Sequence, residues 1–137
     1  MEQSRIKPFL TFNGNAEAAM QFYASTLPGA EITKLIRYGK SSPYIGEDDA
    51  DRVMYGALTF MGQEIGFLDM GSAHPAPAFN WASSLYIDCR DEPEFDDIFT
   101  GLSQGGTVMM GPEPVGQIRK CAWVTDKFGV TWQPVWE

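Results

Sequence analysis

Phe12-Asn13-Gly14-Asn15 ends a segment of alternating apolar residues and begins a segment with helical periodicity. Ile87-Asp88-Cys89-Arg90 makes the same change further along the chain. The apolar residues after the two stretches have the same helical spacing: Met20, Tyr23 and Leu27 after the first, and Phe95, Ile98 and Leu102 after the second. Both segments then reach a break with glycine, Pro28-Gly29 or Gly105-Gly106, before further strand-like sequence. The chain therefore predicts one strand–helix unit twice.

Outward from these stretches, the pattern predicts three further strands in each half. Asn15 and Asp91 are the predicted helix N-caps, since their side chains can accept a hydrogen bond from an early backbone N–H. Glu94 lies three residues after Asp91 and completes a predicted capping box. A long exposed loop is expected over 39–52. The predicted strands are 6–12, 32–38, 53–61 and 64–70 in the first half, and 79–89, 107–110, 118–125 and 130–136 in the second.

This order predicts an α+β fold built from two βαβββ repeats, with mostly antiparallel, curved sheets that are each covered by one helix. The linker between the repeats is predicted in the proline-containing segment 71–78. We therefore expect a first module over 1–71 and a second over 72–137, together forming one compact unit. The sheet faces opposite the helices must meet each other, another chain or a ligand, and two such units can enclose a cavity.

Composition excludes several partners. The 137 residues include 18 acidic and 10 basic ones, a formal net charge of -8. A field of this sign repels nucleic acids and anionic membranes, so neither is expected as a partner. The sequence has no apolar run of about 18 residues that could span a membrane and no apolar signal core near Met1. We expect a cytoplasmic protein in which Cys89 and Cys121 are buried, reduced thiols.

Four segments carry a resemblance to a known family. They are 14–19 with Phe22-Tyr23, then 79–86, Gly105-Gly106 and, most specifically, 121–133. Together they resemble the vicinal oxygen chelate (glyoxalase/bleomycin-resistance) superfamily, and within it the PhnB-like group, which includes proteins described as 3-demethylubiquinone-9 3-methyltransferase domains. The likeness covers nearly the whole chain, although Ala122 replaces a glycine usual in the group. It implies a glyoxalase-like fold and a homodimer whose sheet faces close shared cavities.

The resemblance also implies a divalent metal held by His, Glu or Gln side chains from the first and last strand of each half. The first-strand ligand would fall at Lys7 or Pro8, where an ammonium repels a cation and a proline has no donor. In the second half the equivalent position falls between Ala82 and Ser84, where a hydroxyl is a weak ligand.

Few other metal donors are present. The final-strand ligand maps onto Gln133, and Asp69 and His74 are the remaining candidates. Because a stable site needs several convergent donors, the sequence predicts no cofactor. A divalent metal held by Gln133, Asp69 and His74 stays as the alternative. The only histidine and the lone acidic loop 47–51 are interpreted as surface features.

Strand alternation predicts a ligand-binding face. If Phe12, Leu85 and Trp132 face the helices, the residues of opposite parity face the cavity. Aromatic walls with a few polar groups are typical of small-molecule pockets, although the same residues could fill a core or a dimer interface. The predicted ligand-binding residues are Lys7, Phe9, Thr11, Ser84, Tyr86, Thr131 and Gln133. Lys7 is a candidate partner for an anion, and the pattern designates no catalytic residue.

Three functions follow, in order of preference. The first is a PhnB-like protein that binds a small molecule in a sheet-lined cavity without the usual metal. The second is a metal-dependent lyase, isomerase or dioxygenase of the superfamily. The third is a methyltransferase, as the group's description implies, although the chain lacks the glycine-rich turn and parallel sheet of common S-adenosylmethionine sites.

Overall fold

The computed structural model describes residues 5–137, and this part of the chain contains two helices and eight strands. Their bounds in the first half are β1 (Phe9–Phe12), α1 (Ala16–Thr26), β2 (Glu31–Arg37), β3 (Val53–Phe60) and β4 (Gln63–Asp69). Those in the second half are β5 (Leu85–Cys89), α2 (Glu92–Ser103), β6 (Thr107–Val115), β7 (Ile118–Thr125) and β8 (Thr131–Trp136). The predicted α+β class and the repeated β-α-β-β-β order are confirmed. No helix in residues 5–137 is long and apolar enough to cross a membrane.

The strands form two four-stranded sheets of the same topology. Their orders are β1-β4-β3-β2 and β5-β8-β7-β6. The first strand of each half pairs in parallel with the last one, and the other pairings are antiparallel. The chain divides into two compact units: one extends to Ser25 and resumes over Gly29–Pro77, and the other comprises Thr26–Pro28 and Ala78–Glu137.

In the first unit, helix α1 packs on one face of the sheet through its predicted apolar stripe. Met20 and Tyr23 are fully buried, and the Tyr23 ring lies 6.0 Å from that of Phe67 on β4. Gly56 on β3 permits this approach, because a Cβ there would lie 2.6 Å from the sulfur of Met20. The core of this unit therefore lies between α1 and the face of the sheet to which the even-numbered residues of β1 point.

Helix α2 packs on the second sheet in the same way. Phe95, Ile98 and Leu102 are fully buried, as their spacing predicted. The predicted N-cap is confirmed, since Oδ1 of Asp91 accepts the N–H of Glu94 at 2.9 Å. The carboxylate of Glu94 accepts the N–H of Arg90 rather than that of the cap residue. The helix therefore starts where the sequence indicates.

Three predicted strand boundaries are wrong by more than one residue. β1 begins at Phe9 rather than at residue 6, and β5 begins at Leu85 rather than at 79. Before β5 the Asn80 side chain accepts the N–H of Ala82 at 2.8 Å, and this local turn competes with strand pairing. β6 extends to Val115 instead of stopping at 110, because the chain stays paired with β7 beyond the cis Gly111–Pro112 bond.

Candidate functional site

The second sheet has one face covered by α2 and one face free of it. Lys120 on β7 identifies the covered face, because its ammonium contacts carboxylates of α2, Glu92 and Asp96, at 2.8 Å each. Side chains alternate along a strand, so residues of the same parity as Lys120 face the helix and those of opposite parity face away. Trp123 and Thr125 of β7 therefore belong to the face that α2 leaves uncovered, called the open face below.

The open face brings together three of the predicted ligand-binding residues. Gln133 on β8 is the register partner of Tyr86 on β5. The Nε2 amide of Gln133 donates to Oγ of Ser84 at 2.6 Å. Within residues 5–137 the Oε1 of Gln133 has no hydrogen-bond donor, so this acceptor remains for a ligand. Amide, hydroxyl and phenol groups thus lie side by side.

Tyr86 supplies the most exposed polar group of this set. Its side chain is 57% exposed, and partial desolvation of the phenol raises its pKa, as do the nearby carboxylates of Glu137 and Asp88. A raised pKa keeps the hydroxyl protonated at neutral pH. Tyr86 therefore presents a hydrogen-bond donor on the open face.

Thr131, the fourth predicted ligand-binding residue of the second unit, is buried beside another threonine. Its hydroxyl lies 3.0 Å from that of Thr125, its register partner on β7. The Thr125 hydroxyl also contacts the sulfur of Met109 at 2.9 Å. Thr131 is almost inaccessible, so it supports the floor of the open face rather than presenting a free hydroxyl.

An apolar depression of about 260 Å3, open to solvent and called the open-face cavity below, is lined by two tryptophans and two methionines, Trp81, Trp123, Met109 and Met110. Consecutive residues of a regular strand face opposite sides, yet Met109 and Met110 both line the cavity. The register between β6 and β7 shifts between Val108 and Met110, which indicates a β-bulge. The bulge turns two neighbouring methionines to one side. Sequence alternation alone did not identify any of these four residues as part of the site.

The three predicted residues of the first unit have other neighbours. Lys7 contacts the hydroxyl of Tyr55 and the carboxylate of Glu64, the latter at 3.1 Å. The hydrogen bond to Tyr55, then that to Glu64, raises the pKa of the Lys7 ammonium, which is therefore a paired cation. Phe9 lies against Gly66 and its ring is 5.9 Å from that of Tyr55.

Thr11 pairs with Leu68 in the parallel ladder and is half-buried. With Lys7 and Phe9 it lies on the face of the first sheet opposite α1. The predicted role of Lys7 as an anion partner must therefore compete with Glu64, which already neutralises its charge.

Asp69, a candidate metal ligand, accepts hydrogen bonds from three backbone N–H groups of the first unit. It is 1% exposed, and its Oδ1 accepts the N–H groups of Gly14 at 2.8 Å and Ala16 at 3.0 Å. Its Oδ2 accepts the N–H of Val53 at 2.9 Å. A carboxylate from β4 thus satisfies the start of α1, the role that the sequence assigned to Asn15. The two oxygens are committed to amide donors, not directed at a cation.

The donors present do not fit the superfamily's metal site. His74 is exposed and follows β4, and its backbone N–H donates to the carbonyl of Gly71. Around Gln133 the neighbouring polar groups are hydroxyls, which bind divalent metals weakly. Residues 5–137 contain no group of three or more His, Cys, Asp or Glu side chains that could hold a metal ion.

Both thiols are buried in the second unit. Burial raises the pKa of Cys89 from 9.0 to about 11 and also raises that of Cys121. A thiol of raised pKa is a poor nucleophile at neutral pH, so neither cysteine provides nucleophilic chemistry.

The comparisons with known proteins agree with this architecture. Residues 4–135 match the family described as 3-demethylubiquinone-9 3-methyltransferase. The chain belongs to this family. A solved structure from Bacillus cereus, described as a candidate 3-demethylubiquinone-9 3-methyltransferase and PhnB protein, is 35% identical, and the match covers 98% of this chain and 100% of that one with a TM-score of 0.80. Protein YjdN of Escherichia coli (strain K12) is 29% identical in an alignment of 136 positions, and the match covers 93% of this chain and 91% of YjdN.

The fold of this family member extends to the wider superfamily. A solved member of the glyoxalase/bleomycin resistance protein/dioxygenase superfamily from Sphaerobacter thermophilus is 18% identical. The match covers 98% of both chains with a TM-score of 0.57. At this identity the likeness shows the fold alone. The predicted resemblance to PhnB-like proteins and the predicted glyoxalase-like fold are both confirmed.

Proposed function

We propose that the open face of the second sheet binds a small aromatic molecule that carries a hydroxyl group, and that it does so without a metal. The observation that carries the proposal is the open-face cavity of about 260 Å3, lined by Trp81, Trp123, Met109 and Met110. Indole rings and thioethers favour flat aromatic ligands through stacking and sulfur–ring contacts. The cavity has the size of one or two fused rings.

Polar groups of the same face give the ligand an orientation. Because Gln133 donates its amide to Ser84, the free Oε1 favours a hydrogen-bond donor on the ligand. The phenol of Tyr86 is protonated at neutral pH and favours an acceptor. A hydroxyl is both donor and acceptor, and an aromatic alcohol therefore matches the face better than a bare ring.

The test is an NMR titration with 2-naphthol and with 2-methoxynaphthalene, which has no hydroxyl donor. We expect 2-naphthol to shift the indole N–H signals of Trp81 and Trp123 saturably. The methoxy compound should bind about 5-fold more weakly, the worth of one hydrogen bond of about 1 kcal/mol. Gln133→Ala should remove this preference, whereas Tyr44→Ala, in the other unit, should change neither affinity. Equal affinities for the two compounds in the wild-type protein would overturn the proposal.

The metal-dependent alternative is separated by the same titration. Treatment with EDTA should leave the affinity for 2-naphthol unchanged. If chelation abolished binding and a divalent cation restored it, a metal-dependent enzyme of the superfamily would be the better reading. Elemental analysis of protein purified without chelators provides the control, since it measures metal directly.

A second candidate function is methyl transfer, favoured by the descriptions of the family and of the Bacillus cereus relative. Against it, parallel pairing is confined to β1 with β4 and β5 with β8, and the turn after β1 holds a single glycine, Gly14. S-adenosylmethionine at 100 times its Kd would add about 2.7 kcal/mol to the stability. We expect no rise in Tm at millimolar S-adenosylmethionine, and a rise of several degrees would favour the methyltransferase.

The expected homodimer and cytoplasmic location also stand as proposals. Exposed apolar side chains support an interface between copies, among them Ile36 on β2 and Val108 and Val115 on β6. Light scattering after size exclusion should give twice the 15.2 kDa of one chain. Fractionation of the source cells should recover the protein with soluble enzymes.

A further inference from the structure

The first unit contains a larger cavity that the proposed function does not use. Its volume is about 640 Å3, and it lies between the loop after β2 and the segment that follows β4. Tyr38, Tyr44, Ile45, Met54 and Met70 supply its apolar wall. The remaining lining residues are Gly46, Glu47, Asp48, Asp49, Gly71, Ser72, Ala73 and His74. Among residues 5–137, no lysine or arginine lines it.

The two sides of this cavity are joined by a defined set of polar contacts. Oδ2 of Asp49, on the loop side, accepts both the N–H and the hydroxyl of Ser72 at 2.9 Å. Oδ1 of Asp49 pairs with Nε of Arg52 at 3.0 Å, and the same guanidinium donates to the carbonyl of Met70 at 2.6 Å. The loop expected to be exposed therefore contains a partly buried ion pair, which links the two sides of the cavity.

Two tyrosine side chains, Tyr38 and Tyr44, line this cavity. Tyr38 donates its hydroxyl to the carbonyl of Asp69 at 2.7 Å, which fixes the ring as part of the wall. Tyr44 is 78% exposed. The electron-rich faces of such rings attract cations.

The uncompensated charge at this cavity is negative. Asp49 is neutralised by Arg52, whereas Glu47 and Asp48 are exposed and have no ion pair with any residue of 5–137. Two carboxylates of the lining without an ion pair, and no lysine or arginine of residues 5–137 in the lining, give the cavity a negative potential. A cation with an apolar body satisfies the rings and the carboxylates together, and an anion satisfies neither.

We propose that this cavity is a second binding site, which takes an organic cation of the quaternary or protonated amine class with an aromatic or aliphatic body. It uses none of the residues of the open face of the second sheet. The inference is therefore independent of the function proposed above, and either can fail without the other.

The experiment is a 1H–15N NMR titration of the full chain with benzyltrimethylammonium and with benzyl tert-butyl ether, a neutral molecule of similar shape. The amides of Gly46, Gly71 and Ala73 report on the cavity. We expect saturable shifts at these amides with the cation, and affinity at least about 5-fold weaker for the ether. Raising the salt concentration from 50 to 500 mM should weaken binding of the cation only, about 3-fold or more.

Variants test whether the cation binds at this cavity. The double variant Glu47→Gln, Asp48→Asn should lose about 5-fold or more in affinity for the cation, and Tyr44→Ala a similar amount. Glu31→Gln removes one exposed charge at the other end of β2 and should bind normally, as should Trp81→Ala. Equal affinity for the ether, an unchanged affinity in both cavity variants, or shifts confined to the second unit would each overturn the proposal.

Discussion

The indole Nε1–H of Trp132 donates to Oδ2 of Asp126 at 2.9 Å, and both side chains are buried. The other oxygen of the same carboxylate accepts the backbone N–H groups of Phe128 at 2.8 Å and Val130 at 3.2 Å. One aspartate therefore shapes the turn between β7 and β8 and anchors the first large side chain of β8. Because Gln133 follows Trp132, this anchor also sets the position of the polar group on the open face.

Removing this anchor should destabilise the protein. Asp126→Ala leaves three N–H donors in a region that excludes water, so we expect the free energy of unfolding to fall by about 2–4 kcal/mol. Asp126→Asn should cost less, since its amide oxygen can still accept two of the three bonds. Urea unfolding followed by tryptophan fluorescence measures both. Asp97→Ala, an exposed aspartate of α2, is the matched control and should change stability by less than about 0.5 kcal/mol. A loss in Asp126→Ala no larger than in this control would contradict the assignment.

The buried carboxylate of the first unit allows a parallel prediction. Asp69→Ala removes the acceptor of three amides, those of Gly14, Ala16 and Val53, and should lower the free energy of unfolding by about 2–4 kcal/mol. Hydrogen exchange of the Ala16 and Val53 amides should accelerate more than that of α2. Uniform acceleration across both units would show instead that the carboxylate affects only global stability.

Asp49 predicts a dependence of stability on pH. Its hydrogen bonds from the N–H and hydroxyl of Ser72, followed by the attraction of Arg52, lower the pKa of the folded carboxyl. A depressed pKa means that the contribution is complete above the unfolded pKa of about 3.9 and is lost as pH falls through the lower folded pKa. The stability difference between wild type and Asp49→Asn should therefore be constant from pH 7 to about pH 5 and shrink below about pH 4. A stability difference that grows as the pH falls would contradict the predicted lowering of the Asp49 pKa.

Cys89 should be inert in the native protein. A pKa of about 11 in place of 9.0 leaves about one hundredth of the thiolate that an ordinary thiol has at the same pH, and burial blocks access as well. We expect negligible alkylation of Cys89 by iodoacetamide at pH 8, and complete alkylation in urea, both read by peptide mass spectrometry. Rapid native alkylation would mean that β5 opens locally.

Periodicity and alternation predicted most of the fold. The stripe of Met20 and Tyr23, and the cap at Asp91, depend on neighbours along the chain, and the structure has them where the pattern places them. Alternation also placed Ser84 and Gln133 on one face, and the structure joins them by a hydrogen bond. Their role as ligand-binding residues stays a prediction.

Features that depend on distant partners could not be predicted. Asp69 holds amides more than fifty positions earlier in the chain, and no local pattern reveals that use. The bulge that turns Met109 and Met110 to one side breaks the alternation from which the ligand-binding face was derived. The polar loop 39–52 was interpreted as solvent-exposed because its charges are visible in the sequence, whereas the pairing of Asp49 with Arg52 and Ser72 is not.

The bulge in β6 frees the facing of two side chains from the strict alternation that pairing imposes on a regular strand. On a regular strand, only every second side chain lies on a given face of the sheet. A shift of the pairing register by one residue moves every side chain to the opposite face. β6 is an edge strand, paired only with β7, and carries both methionines at the irregular point of its ladder. Substitutions at these two positions can therefore change the shape of the open face while the hydrogen-bonded ladder stays intact. One stable framework can in this way present different surfaces through single substitutions.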